Sequence, residues 1–366
     1  MKLPEIQRRT SRSVDVGGVR IGGDAAVVVQ SMTNTHTADA TTTIDQVRRL
    51  AQAGAQLVRV AVPTPQDTAA LGEIVTNSPV PIVADVHFHF DRALEAIDAG
   101  VSKIRLNPGN IRDRDQVRKV IAAARDAGVV IRVGVNEGSI VDRSSEKARS
   151  ADLARPLHEL MAERLAEYLI VFEDEGFEDL VLSAKSHDAF TTIAVNRLLS
   201  ERWDYPLHLG VTHAGTEQTG AIRSAAALGT LLSEGIGDTI RISYAGDPVR
   251  EVRAGLELLY SLRLRERQGL NLIACPTCGR LQMDIEPILA EVQEALQDVK
   301  APITVAIMGC VVNGPGEAEG ADVAVCAGKG KAMLYRHGRQ LRAVAVNDIV
   351  PAVLEEVQHV LEGGRE

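Results

Sequence analysis

Cysteine is scarce in this chain of 366 residues, and its four cysteines, at positions 275, 278, 310 and 326, all lie in the last hundred residues. A disulfide framework is typical of small secreted domains, whereas a few clustered thiols in a large chain are more often metal ligands. The scarcity and the clustering together therefore favour a metal site over disulfides.

Long apolar runs and an excess of positive charge are also missing. No apolar run approaches the roughly 20 residues that cross a bilayer, and the first residues contain no apolar core of signal length. The formal net charge is −9, which argues against nucleic acid or a membrane surface as a partner, because such partners select for Lys and Arg. We therefore expect a cytoplasmic enzyme in which any anion site is local.

The first two thirds of the chain repeat one unit, an apolar β-branched run followed by a segment of helical period. Helical segments such as 91–100 and 114–128 end in glycine, which favours the end of a helix. The eight apolar runs are residues 26–32, 57–62, 81–88, 103–109, 129–136, 179–186, 206–213 and 239–246. Nearly continuous apolar strands that alternate with helices predict an α/β fold, a (β/α)8 TIM-type barrel over residues 1–266.

The remaining residues, 267–366, predict a second, smaller α/β domain that holds every cysteine. The polar segment 265–269 marks the boundary, and a chain of this length is expected to divide into two domains. Within the barrel, residues 137–157 form an insertion rich in Ser, Arg and Glu. We expect this insertion to be a loop over the barrel mouth.

Three arginines, Arg59, Arg105 and Arg132, interrupt otherwise apolar strands, and Lys185 ends another. Ligands of such barrels bind at the carboxyl ends of the strands. One buried arginine could simply pair with Asp85, but four cations on four strands favour an anionic ligand, and guanidinium groups suit phosphate. Other polar residues at strand ends are Gln30, Ser31, Thr33, Asn34, His87, Asn107, Asn136, Ser183, His213 and Ser243.

The cysteine spacing is compatible with more than one metal centre. Cys275 and Cys278 form a C-x-x-C pair, and Cys310 follows after 31 residues in a glycine-rich loop. This pattern lacks the second C-x-x-C of a zinc ribbon, so an iron–sulfur cluster, a zinc ion and a redox dithiol all remain open. Cys326 lies in an alternating apolar run, as a buried strand residue would. A fourth ligand could then come from Glu317, beyond Gly314-Pro315-Gly316.

Together these motifs resemble one family, 4-hydroxy-3-methylbut-2-enyl diphosphate synthase of the non-mevalonate isoprenoid pathway. The resemblance runs through nearly the whole chain and includes both domains. The matching stretches are residues 29–39, 84–90, 103–111, 132–139, 206–212, 231–243, 274–280 and 309–318. As a set they are highly specific.

The resemblance implies a reductive enzyme. The expected reaction is the two-electron opening of 2-C-methyl-D-erythritol 2,4-cyclodiphosphate with loss of water, and the electrons come singly from ferredoxin or flavodoxin. A 4Fe-4S cluster would be held by residues matching Cys275, Cys278, Cys310 and Glu317. Bacterial members form homodimers in which the cluster domain of one chain caps the partner's barrel.

The resemblance also implies which residues bind the cyclic diphosphate. They match Arg59, Asp85, His87, Arg105, Asn107, Arg132, Asn136, Lys185 and Ser243. This set includes the four cations that the charge argument selects independently.

One position departs from the family pattern. Where the family has GVTEAG, with its glutamate implicated in protonation as the hydroxyl leaves, this sequence has His213 in Gly210-Val211-Thr212-His213. Histidine can also donate a proton near neutral pH, so we expect either activity with an altered pH dependence or an impaired site. Glu217 is a nearby alternative acid. The hypothesis from another class is a non-catalytic diphosphate-binding barrel with a structural zinc or an iron-sensing cysteine site.

Overall fold

The computed structural model describes residues 5–86, 89–107, 113–140, 150, 152–312 and 314–363, without the side chains at positions 315 and 317. The chain divides into two compact units, Met1–Arg265 and Glu266–Glu366. Within the described ranges no helix is both long enough and apolar enough to span a bilayer. His87 lies outside the described residues, as do residues 141–149 and 151 of the insertion at residues 137–157.

The first unit is a barrel of eight parallel strands, which confirms the predicted fold. Hydrogen bonds join consecutive strands, and the eighth barrel strand pairs with the first. A bridge between Leu182 and Leu207 links the sixth strand to the segment before the seventh. The barrel strands are β3 (Val28–Met32), β4 (Leu57–Ala61), β5 (Ile82–Asp85), β6 (Lys103–Leu106), β7 (Val130–Asn136), β8 (Leu180–Lys185), β9 (His208–Leu209) and β10 (Thr239–Ile240).

The last two strands are shorter than the sequence predicts. β9 stops before Gly210, where a Cβ atom would lie 2.8 Å from the carbonyl oxygen of Arg241. The two backbones therefore approach each other closely at this point, and the residues after both strands form loops instead of extending the ladder.

Helices surround the barrel and begin at recognisable caps. Asp39, Asp113, Asp188 and Asp247 each accept a hydrogen bond from the first turn of their helix, and Thr64 forms a capping box with Asp67. These helices are α1 (Ala40–Gln52), α2 (Pro65–Asn77), α3 (Phe90–Asp98), α4 (Arg114–Ala127), α5 (Leu157–Asp174), α6 (Ala189–Arg202), α7 (Glu217–Ser233) and α8 (Pro248–Ser261). Side chains that point outward from the strands pack against them and form the larger core.

A hairpin closes the bottom of the barrel. Its strands β1 (Ser13–Val16) and β2 (Val19–Gly22) are antiparallel. Val14, Val16 and Ile21 from the hairpin pack against the lowest inward-facing residues of the barrel, which are Val28, Leu57, Val83, Val130 and Val181. We call these five residues the apolar floor. The barrel interior is thus sealed at one end, and only the carboxyl ends of the strands remain for ligand entry.

The second unit is a five-stranded mixed sheet with neighbouring strands in sequence order. The first three strands are parallel and the last two pair antiparallel. The elements are β11 (Leu270–Ala274), α9 (Glu286–Ala295), β12 (Ile303–Met308), α10 (Gly314–Glu317), β13 (Val323–Ala327), β14 (Lys331–Arg336), β15 (Arg339–Ala345) and α11 (Ile349–Leu361). One face packs under α9 and α11, and the other packs under the segment that contains Ala318 and Ala321.

The buried Asp238 fastens the N-terminal segment to the bottom of the barrel. This carboxylate, 1% exposed, accepts hydrogen bonds from Arg8 Nη2 at 2.6 Å, Ser11 Oγ at 3.1 Å and the backbone N–H of Leu207 at 2.8 Å. It also lies directly before β10. One side chain therefore connects the entry segment to two barrel strands.

We expect Asp238→Asn to destabilise the protein by about 3 kcal/mol. The substitution leaves the half-buried Arg8 without a counter-charge, and it turns an amide N–H toward the backbone N–H of Leu207. Urea unfolding of the two proteins measures the difference. Asp24→Asn is the matched control, since Asp24 forms an exposed ion pair with Arg20 and should change stability by less than about 0.5 kcal/mol. Equal effects of the two substitutions would contradict this role for Asp238.

Candidate active site

The carboxyl ends of the barrel strands enclose a pocket rich in cations. Alternation along each strand brings every second side chain into the barrel. The pocket is lined by Arg59, Asp85, Arg105, Arg132, Asn136, Ser183, Lys185, Val211, Thr212, Arg241 and Ser243. Five of these side chains are cations and one is a carboxylate, so the pocket has the charge balance of an anion site.

Asp85 is the carboxylate among the lining residues, and it faces two of the arginines. Its oxygens lie 3.3 Å from Arg105 Nη1 and 3.8 Å from Arg59 Nε. Arg59 also directs Nε and Nη2 at the sulfur of Met32, at 3.1 and 2.9 Å. A single carboxylate cannot neutralise both guanidinium groups, and a thioether is a weak acceptor.

Arg132 and Lys185 are also buried, and both lie close to other cations. Arg132 is 1% exposed, and its Nε and Nη1 have no hydrogen-bond partner within the described part of the chain. Burial, reinforced by Arg132 and Arg59, holds the pKa of Lys185 well below its ordinary value. The charged forms of these side chains are therefore destabilised until a negative group joins them.

Sequence reasoning missed Arg241, which lines the same pocket. Burial and the nearby Arg59 lower the pKa of its guanidinium to about 10. Arg241 follows β10 and stands two residues before Ser243, so the alternation that selected Ser243 could also have selected Arg241.

Two glycines leave room for these side chains. A Cβ atom at Gly210 would lie 2.9 Å from Lys185 Nζ, and one at Gly134 would lie 2.4 Å from Ser183 Oγ. Any larger residue at either position would displace a polar group that lines the pocket.

Three other candidate residues, Asn107, His213 and Glu217, do not line the pocket. Asn107 is buried and its Oδ1 lies 3.4 Å from Ser139 Oγ, but it does not line the pocket. His213 is exposed, has a left-handed backbone with φ of 52°, and follows the lining residues Val211 and Thr212. Glu217 lies 2.8 Å from Arg250 in an exposed ion pair, which engages the alternative acid elsewhere.

In the second unit, parallel pairing brings two cysteines to one edge of the sheet. Ala274 of β11 is in register with Ile307 of β12, so Cys275 and Cys310 both follow the ends of adjacent strands. The backbone N–H of Gly309 donates to Cys275 Sγ at 3.1 Å. Cys278 is exposed, and hydrogen bonds from Arg280 lower the pKa of its thiol. These contacts favour thiolates at this edge.

Cys326 lies on β13 with its side chain fully buried, as the sequence predicts. Burial and the nearby Cys310 and Cys275 raise the pKa of its thiol to about 11. A Cβ atom at Gly314 would come within 2.9 Å of its sulfur. Cys326 is thus a protonated, packed thiol beside the others.

The donor set at this edge fits an iron–sulfur cluster or zinc, both of which select thiolates. The N–H of Gly309 donates to the sulfur of Cys275, and hydrogen bonds of this kind to cysteine sulfurs tune iron–sulfur clusters. Within the described residues no three His, Cys, Asp or Glu side chains converge at metal-binding distance. The side chain of Glu317 is outside the described set, so the fourth predicted ligand stays a prediction.

Comparison with known proteins identifies the family. Residues 11–256 match the model of the GcpE TIM-barrel domain, and residues 271–359 match that of the GcpE protein C-terminal domain. The chain belongs to the GcpE family. The barrel match includes all eight barrel strands, and the C-terminal match includes all four cysteines, so both candidate sites lie inside GcpE domains.

Curated relatives of this GcpE chain cover nearly all of it. It is 46% identical over 351 residues to the 4-hydroxy-3-methylbut-2-en-1-yl diphosphate synthase (flavodoxin) of Geobacter sulfurreducens, with coverage of 96% of this chain and 98% of the relative. It is 44% identical over 359 residues to the enzyme of the same name from Aquifex aeolicus, covering 98% and 99%. The family resemblance seen in the sequence is therefore confirmed.

A solved structure of another protein aligns with part of this chain. Dihydropteroate synthase from Xanthomonas albilineans in complex with 7,8-dihydropteroate aligns with a TM-score of 0.46 and 16% identity, over 69% of this chain and 97% of that one.

We expect Lys185→Met to weaken diphosphate binding and to stabilise the ligand-free protein, by about 1 kcal/mol or more, because it removes a buried charge. Inorganic diphosphate should raise the melting temperature of the wild type and raise that of the variant far less. Lys119→Met, at an exposed position, is the control and should behave as the wild type does.

The same substitution should change the pH dependence of stability. Because the pKa of Lys185 is lower in the folded protein than in the unfolded chain, the unfolded chain binds more protons between the two values. Stability of the ligand-free wild type should therefore rise with pH as it approaches the unfolded value near 10.4. Lys185→Met should lose this component, as measured by urea unfolding across that range. If the free energy of unfolding changed with pH equally in the two proteins, the amine of Lys185 would not have a lowered pKa in the folded protein.

Proposed function

We propose that this protein catalyses the reductive ring opening of 2-C-methyl-D-erythritol 2,4-cyclodiphosphate to 4-hydroxy-3-methylbut-2-enyl diphosphate. Two electrons and a proton enter, and water leaves. The observation that carries the proposal is the joint presence, in one GcpE chain, of a buried five-cation pocket and a separate cluster of free thiols. The names of the curated relatives describe the same product.

The barrel pocket binds the diphosphate of the substrate. Arg132, Lys185 and Arg241 are buried and surrounded by like charges, so phosphate oxygens relieve the repulsion among these cations. Asp85 orients Arg59 and Arg105. Asn136 and Ser243 add neutral polar contacts at the rim, and we extend the same role to His87 and Asn107.

The thiols of the second unit hold the redox group. Residues Cys275, Cys278, Cys310 and Glu317 would hold a 4Fe-4S cluster, and the N–H of Gly309 together with Arg280 stabilises the thiolates. Such a cluster, when bound, passes electrons one at a time. Cys326 keeps its proton and serves as packing beneath this edge.

His213 supplies the proton as the hydroxyl leaves. It follows Thr212, which lines the pocket, and its exposed imidazole has access to solvent for reprotonation. An imidazolium N–H is a competent acid near neutral pH. Its left-handed backbone is a conformation in which histidine is several-fold enriched among non-glycine residues.

Flavodoxin, which the names of the relatives include, is the electron donor that we propose, with ferredoxin as the alternative one-electron donor. We propose a homodimer as the active assembly, as the family resemblance implies. The cytoplasm is the expected compartment, since reducing conditions keep the thiols of Cys275, Cys278 and Cys310 available to the cluster.

Anaerobic turnover of the cyclic diphosphate with a one-electron reductant tests the proposal, on protein whose iron and sulfide have been assayed. We expect the allylic diphosphate as product. Fully loaded protein that binds the substrate but yields no product would overturn the catalytic function. Colourless protein that contains zinc in place of iron would overturn the cluster assignment instead.

Two cysteine variants serve as controls within that experiment. Cys310→Ala should lose most of its iron and all turnover, whereas Cys326→Ala should keep both. Loss of iron from Cys326→Ala would move the fourth ligand from Glu317 to Cys326.

We expect His213→Gln to lower turnover by about 100-fold with little change in KM, because it removes a proton donor and leaves the diphosphate site intact. His213→Glu should retain turnover. As the pH rises, however, its rate should begin to fall at a lower pH than the rate of the wild type, since the ordinary pKa of glutamate, about 4.3, is below that of histidine, about 6.5. The pH profile of steady-state turnover measures both effects.

His359→Gln, at an exposed position on α11, is the matched control and should leave turnover unchanged. Unaltered turnover in His213→Gln, or a pH profile that does not move in His213→Glu, would exclude His213 as the acid.

A further inference from the structure

A second polar layer lies inside the barrel, between the pocket and the apolar floor. It comprises Gln30, Lys103, His208 and Thr239, together with the inner side of Arg132. Lys103 stands two residues before the lining residue Arg105, and Thr239 stands two before Arg241. Alternation along a strand therefore turns Lys103 and Thr239 into the barrel. His208 precedes Gly210, whose missing side chain would face Lys185, so it too points inward.

This layer is separate from the pocket at the strand ends. Arg132 lines that pocket, but Gln30, Lys103, His208 and Thr239 do not. The four are almost completely buried, with Lys103 and His208 at 0% exposure. Lys103 is in register with Val83 and Val130 of the apolar floor, which places its backbone at the sealed end of the barrel.

The atoms of this layer have few protein partners. Within the described part of the chain, Lys103 Nζ, His208 Nε2, Arg132 Nε and Nη1, and both amide atoms of Gln30 lack a hydrogen bond. His208 Nδ1 lies 3.5 Å from Thr239 Oγ1. When Thr239 donates to that nitrogen, Nε2 carries the proton and becomes another donor. Donors then outnumber acceptors by about five to one, whereas buried polar atoms are ordinarily paired.

The charges around this layer are mostly positive, so they favour an anion, as the excess of hydrogen-bond donors does. Lys103 faces Arg132 and Arg59, and His208 faces Lys103, Lys185 and the same arginines. The carboxylate of Asp85 is held by Arg105 and Arg59, and that of Glu251 accepts from the backbone N–H of Tyr244. Burial and the two arginines hold the pKa of Lys103 well below its ordinary value. A cation cannot be stable in these surroundings, whereas an anion relieves every one of these repulsions.

We propose that this layer is an inner anion site, distinct from the diphosphate pocket, that takes one small monovalent anion of the halide class. Lys103 Nζ, His208 Nε2 and the inner guanidinium N–H groups of Arg132 are its donors, and the Gln30 amide completes it. A small ion suits the site because the apolar floor closes it below and the side chains of the pocket cover it above. The bound anion keeps Lys103 protonated and holds Arg132 in place for the outer ligand.

Bromide identifies the site directly, because its anomalous scattering distinguishes it from water. We expect crystals of the wild-type protein grown in bromide, with inorganic diphosphate at saturation, to show an anomalous peak in contact with Lys103 Nζ. Lys103→Met should lose this peak, and Lys119→Met, at an exposed position, should retain it. Ordinary water density beside Lys103, or bromide at exposed lysines only, would overturn the proposal.

Thermal unfolding keeps the proposal testable where a variant does not crystallise. At constant ionic strength and saturating inorganic diphosphate, exchange of gluconate, which is too large for the layer, for bromide should raise the melting temperature of the barrel by about 2 °C or more. Lys119→Met should show the same shift and Lys103→Met should show none. Equal shifts in all three proteins would assign the effect to the surface and contradict an inner site.

Discussion

The structure depends on one electrostatic constraint, which is the surplus of buried positive charge inside the barrel. Arg59, Arg105, Arg132, Lys185 and Arg241 share a pocket with a single carboxylate, and Lys103 lies beneath them. Burial of an uncompensated charge costs several kcal/mol. The closely packed outer core and the sealed floor offset this cost, and the anion that enters the barrel removes it. Instability of the ligand-free pocket and affinity for phosphate are therefore two consequences of the same arrangement.

The barrel itself could be read from the sequence because its signals are local. Eight apolar β-branched runs and the caps of the helices between them depend on neighbouring residues, so the fold and most pocket residues followed from the pattern. Lys103 and Arg241 were not predicted as site residues, and the reason is geometric. Ligand contacts are expected at the carboxyl ends of strands, whereas Lys103 begins its strand and is fully buried. Arg241 lies beyond a strand that ends early.

Tertiary features limited the prediction at two other places. The left-handed backbone of His213 arises where two loops leave the barrel, and residue order does not specify it. The spacing of the cysteines left three metal centres open, because spacing fixes neither the strand pairing nor the face of the sheet. Parallel pairing of β11 with β12 brings Cys275 beside Gly309. Alternation along β13 buries Cys326 on one face, which separates a packed thiol from the exposed ones.

Binding and reduction belong to different units of the chain, and this division has a chemical consequence. In the proposed function, the cations of the barrel unit bind the diphosphate through charge and hydrogen bonds. The proposed redox group belongs to the thiols of the second unit, where Gly309 and Arg280 donate hydrogen bonds to Cys275 and Cys278. Loss of the cluster should therefore leave diphosphate affinity in the barrel intact, and neutralisation of the barrel should leave the cluster ligands intact. His213 follows the lining residue Thr212, and the role proposed for it is proton transfer alone. Replacement of this residue, which departs from the family pattern, should therefore alter rate and pH dependence without dismantling either site.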